Sequence, residues 1–287
     1  MKVQLSSENA AYADQLVKEM QLRNYSPRTI KTYSNLLSKL AEYFNIPLDK
    51  ISTQQVKDFL HFRLYHDKIS ISTINQTISL FKILQVDIFG RDWEQIRIKR
   101  PRREKKLPAI LSVDEVERLI NAPNNIKHRA ILALAYSAGL RRQEVQLIQP
   151  SHIDSQRMQV IVVQGKGKKD RFSLLSPKVL ELLRTYYKLE HPKKYLFEPN
   201  GNKGVPLSEN TFVSIIKKSK VKAGIHKDIS FHTLRHCFAT HLIEKGVNVR
   251  IIQQLMGHTS LKTTAGYLQL VKVDPHSIVS PVESMNI

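Results

Sequence analysis

The sequence predicts a mainly α-helical protein: a four-helix N-terminal domain, then a mostly helical domain holding a small antiparallel β-sheet. Three observations carry that prediction. Apolar residues recur at close to 3.6-residue spacing through most of the chain. Strand signals are confined to one hairpin. A basic, proline-interrupted stretch separates two helical regions. At 287 residues the chain exceeds one small core and fits two domains of ordinary size. The expected bounds are 1–96, a linker at 97–110, and 111–287.

In Ser26-Pro27-Arg28-Thr29 the serine can cap a first turn and proline suits the first helical position. Ile30, Tyr33, Leu37, Leu40 and Phe44 then give a helix over 27–44 its apolar stripe. Ser52 or Thr53 can cap the next helix, which buries Val56, Phe59, Leu60 and Leu64. Ser72 is expected to open another over 72–86, with Ile74, Ile78, Phe81, Ile83 and Leu84 inward. A weaker pattern near 8–22 supplies the fourth helix. From Arg97 to Lys106 the sequence RIKRPRREKK holds seven basic residues and one acidic. Pro101 and Pro108 argue against a continuous helix there. Ser112 with Asp114 and Glu115 restarts helical signals, and an apolar helix follows at Ala130–Gly139. The β-branched run at 158–163, a Gly/Lys turn and Phe172–Leu175 read as the hairpin. Helical patterns then continue through Tyr267.

The chain carries 45 Lys+Arg against 25 Asp+Glu, a net charge of +20. Such an excess concentrates a polyanion, nucleic acid first among them; alone it also fits a ribosome-like or surface-adhesive protein. The single cysteine, Cys237, excludes an internal disulfide and a multi-cysteine zinc site, and its apolar surroundings suggest a small buried residue. The N-terminus lacks the apolar core of a signal peptide, and no apolar run approaches the ~18 residues of a membrane span. The expected location is the cytoplasm.

Three groups of residues carry chemistry. The first is Ala138-Gly139-Leu140-Arg141-Arg142-Gln143-Glu144-Val145. The second is His232-Thr233-Leu234-Arg235-His236, followed by Phe238-Ala239-Thr240-His241. The third joins Leu255-Met256-Gly257-His258 to Thr263-Thr264-Ala265-Gly266-Tyr267. Taken singly, each has a structural reading. Arg141 could cap the helix ending near Gly139, Gly165-Lys166-Gly167 could be a charged turn, and Tyr267 could be a half-buried tyrosine. The turn is not a phosphate-binding P-loop, because Gly-x4-Gly-Lys-Ser/Thr is absent.

In this order the groups resemble the arginine, histidine–arginine and tyrosine boxes of the tyrosine recombinases, which include phage integrases, Xer-type recombinases and integron integrases. The resemblance covers the C-terminal half; the N-terminal half matches only in size, helix count and basicity. It implies a core-binding domain at 1–96 and a catalytic domain at 111–287. It also implies transesterification of DNA through a 3′-phosphotyrosyl link to Tyr267, with neither ATP nor metal.

The resemblance assigns Arg141 and Arg235 to the phosphate, and guanidinium forks suit its oxygens better than lysine does. His232 and His258 would donate to phosphate or assist proton transfer. His232 and Arg235 are three apart and share a helical face. Lys166 matches the hairpin lysine that protonates the leaving 5′-oxygen, with Lys168 and Lys169 as competing assignments. Glu144 would orient the cations from behind. Arg142-Gln143 departs from the common small or apolar pair, a change expected to affect packing or DNA contact. His236 and His241 are read as packing or hydrogen-bonding residues.

The expected partner is double-stranded DNA, gripped between the two domains by four subunits on two sites, with accessory DNA-bending proteins possible. Arg28, Lys31, Asn75, Gln76 and Lys82 on the N-terminal helices, and Arg100, Arg102 and Arg103 in the linker, are the candidate DNA contacts. Location at the nucleoid follows. The apolar set Ile278, Val279, Val282 and Met285 could dock on a neighbouring subunit or fold back on its own. No cofactor and no metal are expected. His232 and His236 do have zinc spacing on a helix, but an arginine beside a cation is unfavourable. A non-catalytic DNA-binding protein is the other alternative, and the intact tyrosine and arginines argue against it.

Overall fold

A computed structural model describes residues 6–93, 97–101, 108–163 and 170–270. The chain divides into two compact units, Met1–Lys105 and Lys106–Ile287. Lys166, Lys168, Lys169, Arg102, Arg103 and the apolar set beyond 270 lie outside the described residues.

The first unit is a helical bundle: α1 (Ser7–Leu22), α2 (Pro27–Phe44), α3 (Thr53–Tyr65) and α4 (Ile71–Lys82), the last running on as a π-helical turn over Ile83–Ile88. Serines open all four. Ser6, Ser26, Ser52 and Ser70 each accept a hydrogen bond from a first-turn backbone N–H. The fourth helix therefore starts from Ser70 and not from Ser72, which lies one residue inside it. Leu16, Met20, Leu37, Leu40, Val56, Phe59, Leu60, Ile74, Ile78, Phe81 and Leu84 form the core. Asn9, buried in α1, ties the loop after α2: its Nδ2 donates to the Ile46 carbonyl and its Oδ1 accepts from Leu48 N.

The second unit opens with α5 (Val113–Asn121), whose Ser112 and Glu115 form a capping box. α6 (Ile126–Ser137) is the central helix, with Ala130 to Ala135 buried without interruption. Burial on all faces is why its sequence is apolar all round rather than striped. α7 (Arg142–Leu147) leads to a three-stranded antiparallel sheet in the order β1 (Ile153–Asp154), β2 (Gln159–Val162), β3 (Arg171–Leu174). Val160 faces Ser173 and Val162 faces Arg171 across β2 and β3. The hairpin agrees with the sequence pattern; the two-residue β1 is too short to show in one. Then come α8 (Pro177–Glu190), α9 (Glu209–Lys222), α10 (Phe231–Glu244), α11 (Val249–Met256), α12 (Leu261–Ala265) and a 3-10 turn over Gly266–Leu270. Ser173 Oγ donates to the Ala138 carbonyl at 2.7 Å, fixing the sheet to the end of α6. Cys237 is buried in this core; its Sγ accepts from Leu111 N, and burial pushes its thiol up to about 11. Among the described residues no helix is long and apolar enough to cross a membrane.

Candidate active site

Arg235 is buried to 1% exposure in the middle of α10. A cation so placed needs compensation; two helix ends supply it, together with the Glu144 carboxylate 3.8 Å from Nη1. Its Nη1 donates to the Gly139 carbonyl at 2.7 Å, just past the end of α6, and its Nη2 donates to the Met256 carbonyl that ends α11. Helix C-termini carry partial negative charge, so both contacts favour the guanidinium. Burial and the nearby Arg141 lower its pKa to about 9, which still leaves it protonated at neutral pH. The helix end at Gly139 is thus satisfied by Arg235, not by Arg141.

Two glycines permit this approach. Gly139 has φ +58°, and a Cβ there would lie 2.3 Å from the Phe238 ring. Gly257 has φ +61°, and a Cβ there would meet Arg171 Cδ at 2.6 Å. Both conformations are left-handed, where side chains are strained.

Glu144 organises the other cations. Its side chain is 8% exposed and accepts from the Arg141 backbone N–H at 2.7 Å and from Arg141 Nη1 at 2.8 Å. Arg171, on β3, donates to it through both Nη atoms, at 2.7 and 2.8 Å. Burial opposes this negative charge, but the Arg171 and Arg141 contacts outweigh burial and hold the carboxyl down at about 2. Arg171 Nε also donates to the Leu255 carbonyl at 2.9 Å, joining the hairpin to the end of α11. Arg141 opens α7 with its side chain 20% exposed, so it faces solvent more than Arg235 does. Arg142 pairs instead with Glu209 at 2.7 Å, joining α7 to α9.

The phenol lies against this cage. Tyr267 is 6% exposed, and its hydroxyl is 3.0 Å from His236 Nδ1. Burial raises its pKa while Arg235 and Arg141 pull it down; the net shift is upward. His258 Nε2 lies 3.0 Å from Arg235 Nη2 and its Nδ1 lies 2.8 Å from Thr264 Oγ1. A guanidinium can only donate, so Nε2 accepts and the ring is the neutral Nδ1–H tautomer. Desolvation, then Arg235 and Arg141, lower its pKa to about 4. His236 is held at about 4 by burial, His232 and Arg235. His232 is exposed and packs edge-on against His236, with ring centroids 4.8 Å apart. Its pKa is lowered by surrounding protein atoms, then by Arg235 and Arg141.

Arg141, Glu144, His232, Arg235, His258 and Tyr267 therefore gather in one place. His241, by contrast, bonds Tyr136 and the Leu111 carbonyl inside the core. Sequence reasoning misses Arg171 entirely, and it reads His236 as an ordinary hydrogen-bonding residue without seeing its partner. The contact candidates of the first unit are a separate set. Arg28, Lys31 and Lys82 are exposed, and Asn75 and Gln76 are partly so. Lys82 Nζ lies 5.5 Å over the Trp93 ring. Arg100 is exposed and lies along α4, donating to the Asn75 carbonyl and to Ser79 Oγ at 2.8 Å each. Among the described residues no group of three or more His, Cys, Asp or Glu side chains could hold a metal.

Such a cage can hold an anion and present a phenol to it. The model of the phage integrase family matches residues 109–272, and that of the phage integrase N-terminal SAM-like domain matches 13–95. The chain belongs to the phage integrase family, the tyrosine recombinases, enzymes that break and rejoin DNA strands. A tyrosine recombinase of Thermosipho africanus is 36% identical over 260 residues, covering 87% of this chain and 91% of its own length. Tyrosine recombinase XerA of Pyrococcus horikoshii is 33% identical, with 94% and 93% covered. The crystal structure of XerA recombinase is 27% identical with a TM-score of 0.54, covering 93% of this chain and 95% of that one. XerH site-specific recombinase, solved in a post-cleavage complex with palindromic difH substrate, shares the fold. Its TM-score is 0.71 at 23% identity, covering 91% of this chain and 82% of that one.

Proposed function

We propose that this chain recombines double-stranded DNA at specific sites through a transient 3′-phosphotyrosyl bond to Tyr267. The observation that carries this reading is the buried Arg235, braced by two helix ends, in one cage with the Tyr267 phenol. A guanidinium has five N–H donors, and three of those of Arg235 meet protein acceptors among the described residues. The remaining donors, with those of Arg141, suit the non-bridging oxygens on which charge builds as Tyr267 attacks phosphorus. His232, exposed and one helical turn before Arg235, donates to the same oxygens. His258 holds Arg235 in orientation through its neutral ring. Lys166 protonates the departing 5′-oxygen, a role that rests on the resemblance.

Double-stranded DNA is the partner, approached through the net charge of +20. The exposed Arg28, Lys31 and Lys82 would meet its backbone. Four subunits act on two paired sites, with accessory DNA-bending proteins where the site requires them, in the cytoplasm at the nucleoid. The domains are a core-binding unit at 1–96, a phosphate-contacting linker at 97–110 and a catalytic unit at 111–287.

The test is capture of the intermediate. Incubated with host genomic DNA and then denatured, the protein should carry covalently linked DNA, whose sequencing maps the sites. Tyr267→Phe should bind DNA normally and give no denaturant-resistant adduct. An adduct of normal yield from that variant would sink the nucleophile assignment.

A further inference from the structure

Two imidazoles contact the Tyr267 ring, and one of them is bonded to its hydroxyl; a third, His232, packs on His236. His236 Nδ1 is 3.0 Å from the hydroxyl. His258 is committed elsewhere: Nε2 accepts from Arg235 and Nδ1 donates to Thr264. Its ring stacks near-parallel to the phenol at 6.2 Å between centroids, a position from which it cannot take the phenolic proton in plane. His232 touches the phenol through no hydrogen bond among the described residues; its contact is with the His236 ring.

The direction of the His236–Tyr267 bond follows from the groups around it. His232 and Arg235 face His236 from its own helix, and Tyr267 faces it from the 3-10 turn. Burial and those two neighbours keep the imidazole neutral at pH 7. A neutral ring has one bare nitrogen. Among the described residues the Tyr267 hydroxyl has no other hydrogen-bond partner. The phenolic proton is therefore satisfied only if it points at Nδ1, which makes Tyr267 the donor and His236 the Nε2–H tautomer.

We propose that His236 is a further catalytic residue, the general base that removes the proton of Tyr267 during strand cleavage and returns it during rejoining. This rests on Tyr267 being the nucleophile. In cleavage the phenolic O–H bond breaks as the O–P bond forms, and the proton passes to Nδ1, giving an imidazolium. The P–O5′ bond breaks, and the 5′-oxygen leaves with a proton from the general acid, Lys166 in the reading above, which becomes a neutral amine. In rejoining the 5′-hydroxyl attacks phosphorus, its proton returns to that amine, and the imidazolium reprotonates the departing phenolate. Free of DNA, the ring sits among cations and holds protons weakly. A phosphate seated on Arg141 and Arg235 offsets those charges and raises its proton affinity as the reaction begins.

The experiment compares His236→Ala, His236→Asn and the unaltered protein on a DNA site recovered by adduct mapping. Asparagine keeps an acceptor near the Nδ1 position without its basicity. Both variants should bind DNA normally and form the adduct about 10²–10⁴-fold more slowly. Free imidazole should restore part of the rate to the alanine variant. On DNA with sulfur at the scissile 5′ position, whose leaving group needs no acid, both should remain slow while Lys166→Ala recovers. An asparagine variant as fast as the parent would reduce His236 to a positioning residue and overturn the proposal. So would an alanine variant that is unslowed or accelerated, which would make the contact a parking place for the phenol. Should the variants misfold, histidine ¹⁵N shifts of the unaltered protein decide: a protonated Nδ1 at neutral pH overturns the proposal, and a bare one supports it. Failure here leaves Tyr267 untouched, because its own test is the Tyr267→Phe adduct.

Discussion

Arg171 and Glu144 meet through two parallel hydrogen bonds, Nη1 to Oε1 at 2.7 Å and Nη2 to Oε2 at 2.8 Å, with both side chains 8% exposed. The same carboxylate grips Arg141, and Arg171 Nε grips the Leu255 carbonyl three residues before His258. One ion pair thus ties the hairpin, the first arginine and the turn bearing His258 into a single frame.

Arg171→Ala should therefore cost both stability and chemistry. Removing one partner of a buried pair costs about 3–5 kcal/mol, and denaturant unfolding should show a loss of that order. Arg171→Lys keeps the charge but cannot make the forked contact. It should fold and bind DNA yet form the covalent adduct at least about tenfold more slowly, a rate loss equivalent to about 1.4 kcal/mol in the barrier. A lysine variant equal to the parent in adduct formation would remove Arg171 from the frame.

Arg235→Lys addresses the clamp itself. An ammonium cannot reach Gly139 O, Met256 O and a phosphate together, because it has no planar fork. Cleavage should fall by roughly 10²-fold or more while DNA binding changes little, since the added charge appears only in the transition state. Equal losses in both would mark Arg235 as a purely structural cation.

Acid should weaken the folded state in two stages. His236 and His258 have folded pKa values lowered to about 4 from an ordinary 6.5. Above pH 6.5 both rings are neutral in either state and their contribution is complete. Between 6.5 and 4 the unfolded chain binds protons that the folded chain refuses, so stability falls. Glu144, lowered from 4.5 to about 2, adds its own loss between those values as its carboxylate is protonated. Melting temperature measured from pH 7 to pH 4 should drop, and the drop should be shallower in His236→Asn. A flat profile would mean that these rings are not held neutral by the fold.

How much of this is legible in the sequence depends on distance along the chain. His232, Arg235 and His236 share a helix, so spacing alone brings them together. Arg141 and Glu144 are three apart at one helix start, where the Glu144 carboxylate accepts from the Arg141 backbone N–H and guanidinium. Arg171 reaches Glu144 across 27 residues through the register of a hairpin, which no local period encodes. The partner of His236 is 31 residues away, set by how α12 and its 3-10 turn pack on α10. Ser70 and Ser72 both lie just ahead of the apolar stripe that begins at Ile74, and propensity cannot choose between caps two positions apart.

The linker cations carry a prediction about salt. Each protein–phosphate interaction that is removed should lower the slope of log K against log salt by about 0.9. Neutralising Arg100, Arg102 and Arg103 together should therefore flatten the dependence measured by DNA binding at graded salt. Arg100 already donates to Asn75 and Ser79, so Arg100→Gln alone should contribute the smaller part. An unchanged slope in the triple variant would leave the linker solvated and away from phosphate.

Gly139→Ala tests whether backbone geometry holds the catalytic cation. The residue has φ +58°, which strains any side chain, and an added methyl would sit 2.3 Å from Phe238 Cδ1 and 2.6 Å from Cε1. Phe238 is 5% exposed and packed with Tyr267, so it has little room to retreat. Relief must come from the backbone, whose Gly139 carbonyl accepts from Arg235 Nη1. Moving that carbonyl withdraws one of the two helix ends that neutralise a buried charge. The alanine variant should lose about 1–3 kcal/mol of stability from strain and overpacking. Its adduct formation should fall further than its DNA binding, as for Arg235→Lys. Serine at the same position should behave like alanine, because the obstacle is the Cβ itself. A variant with normal cleavage and lowered stability would show that the turn supports the fold without setting the Arg235 guanidinium.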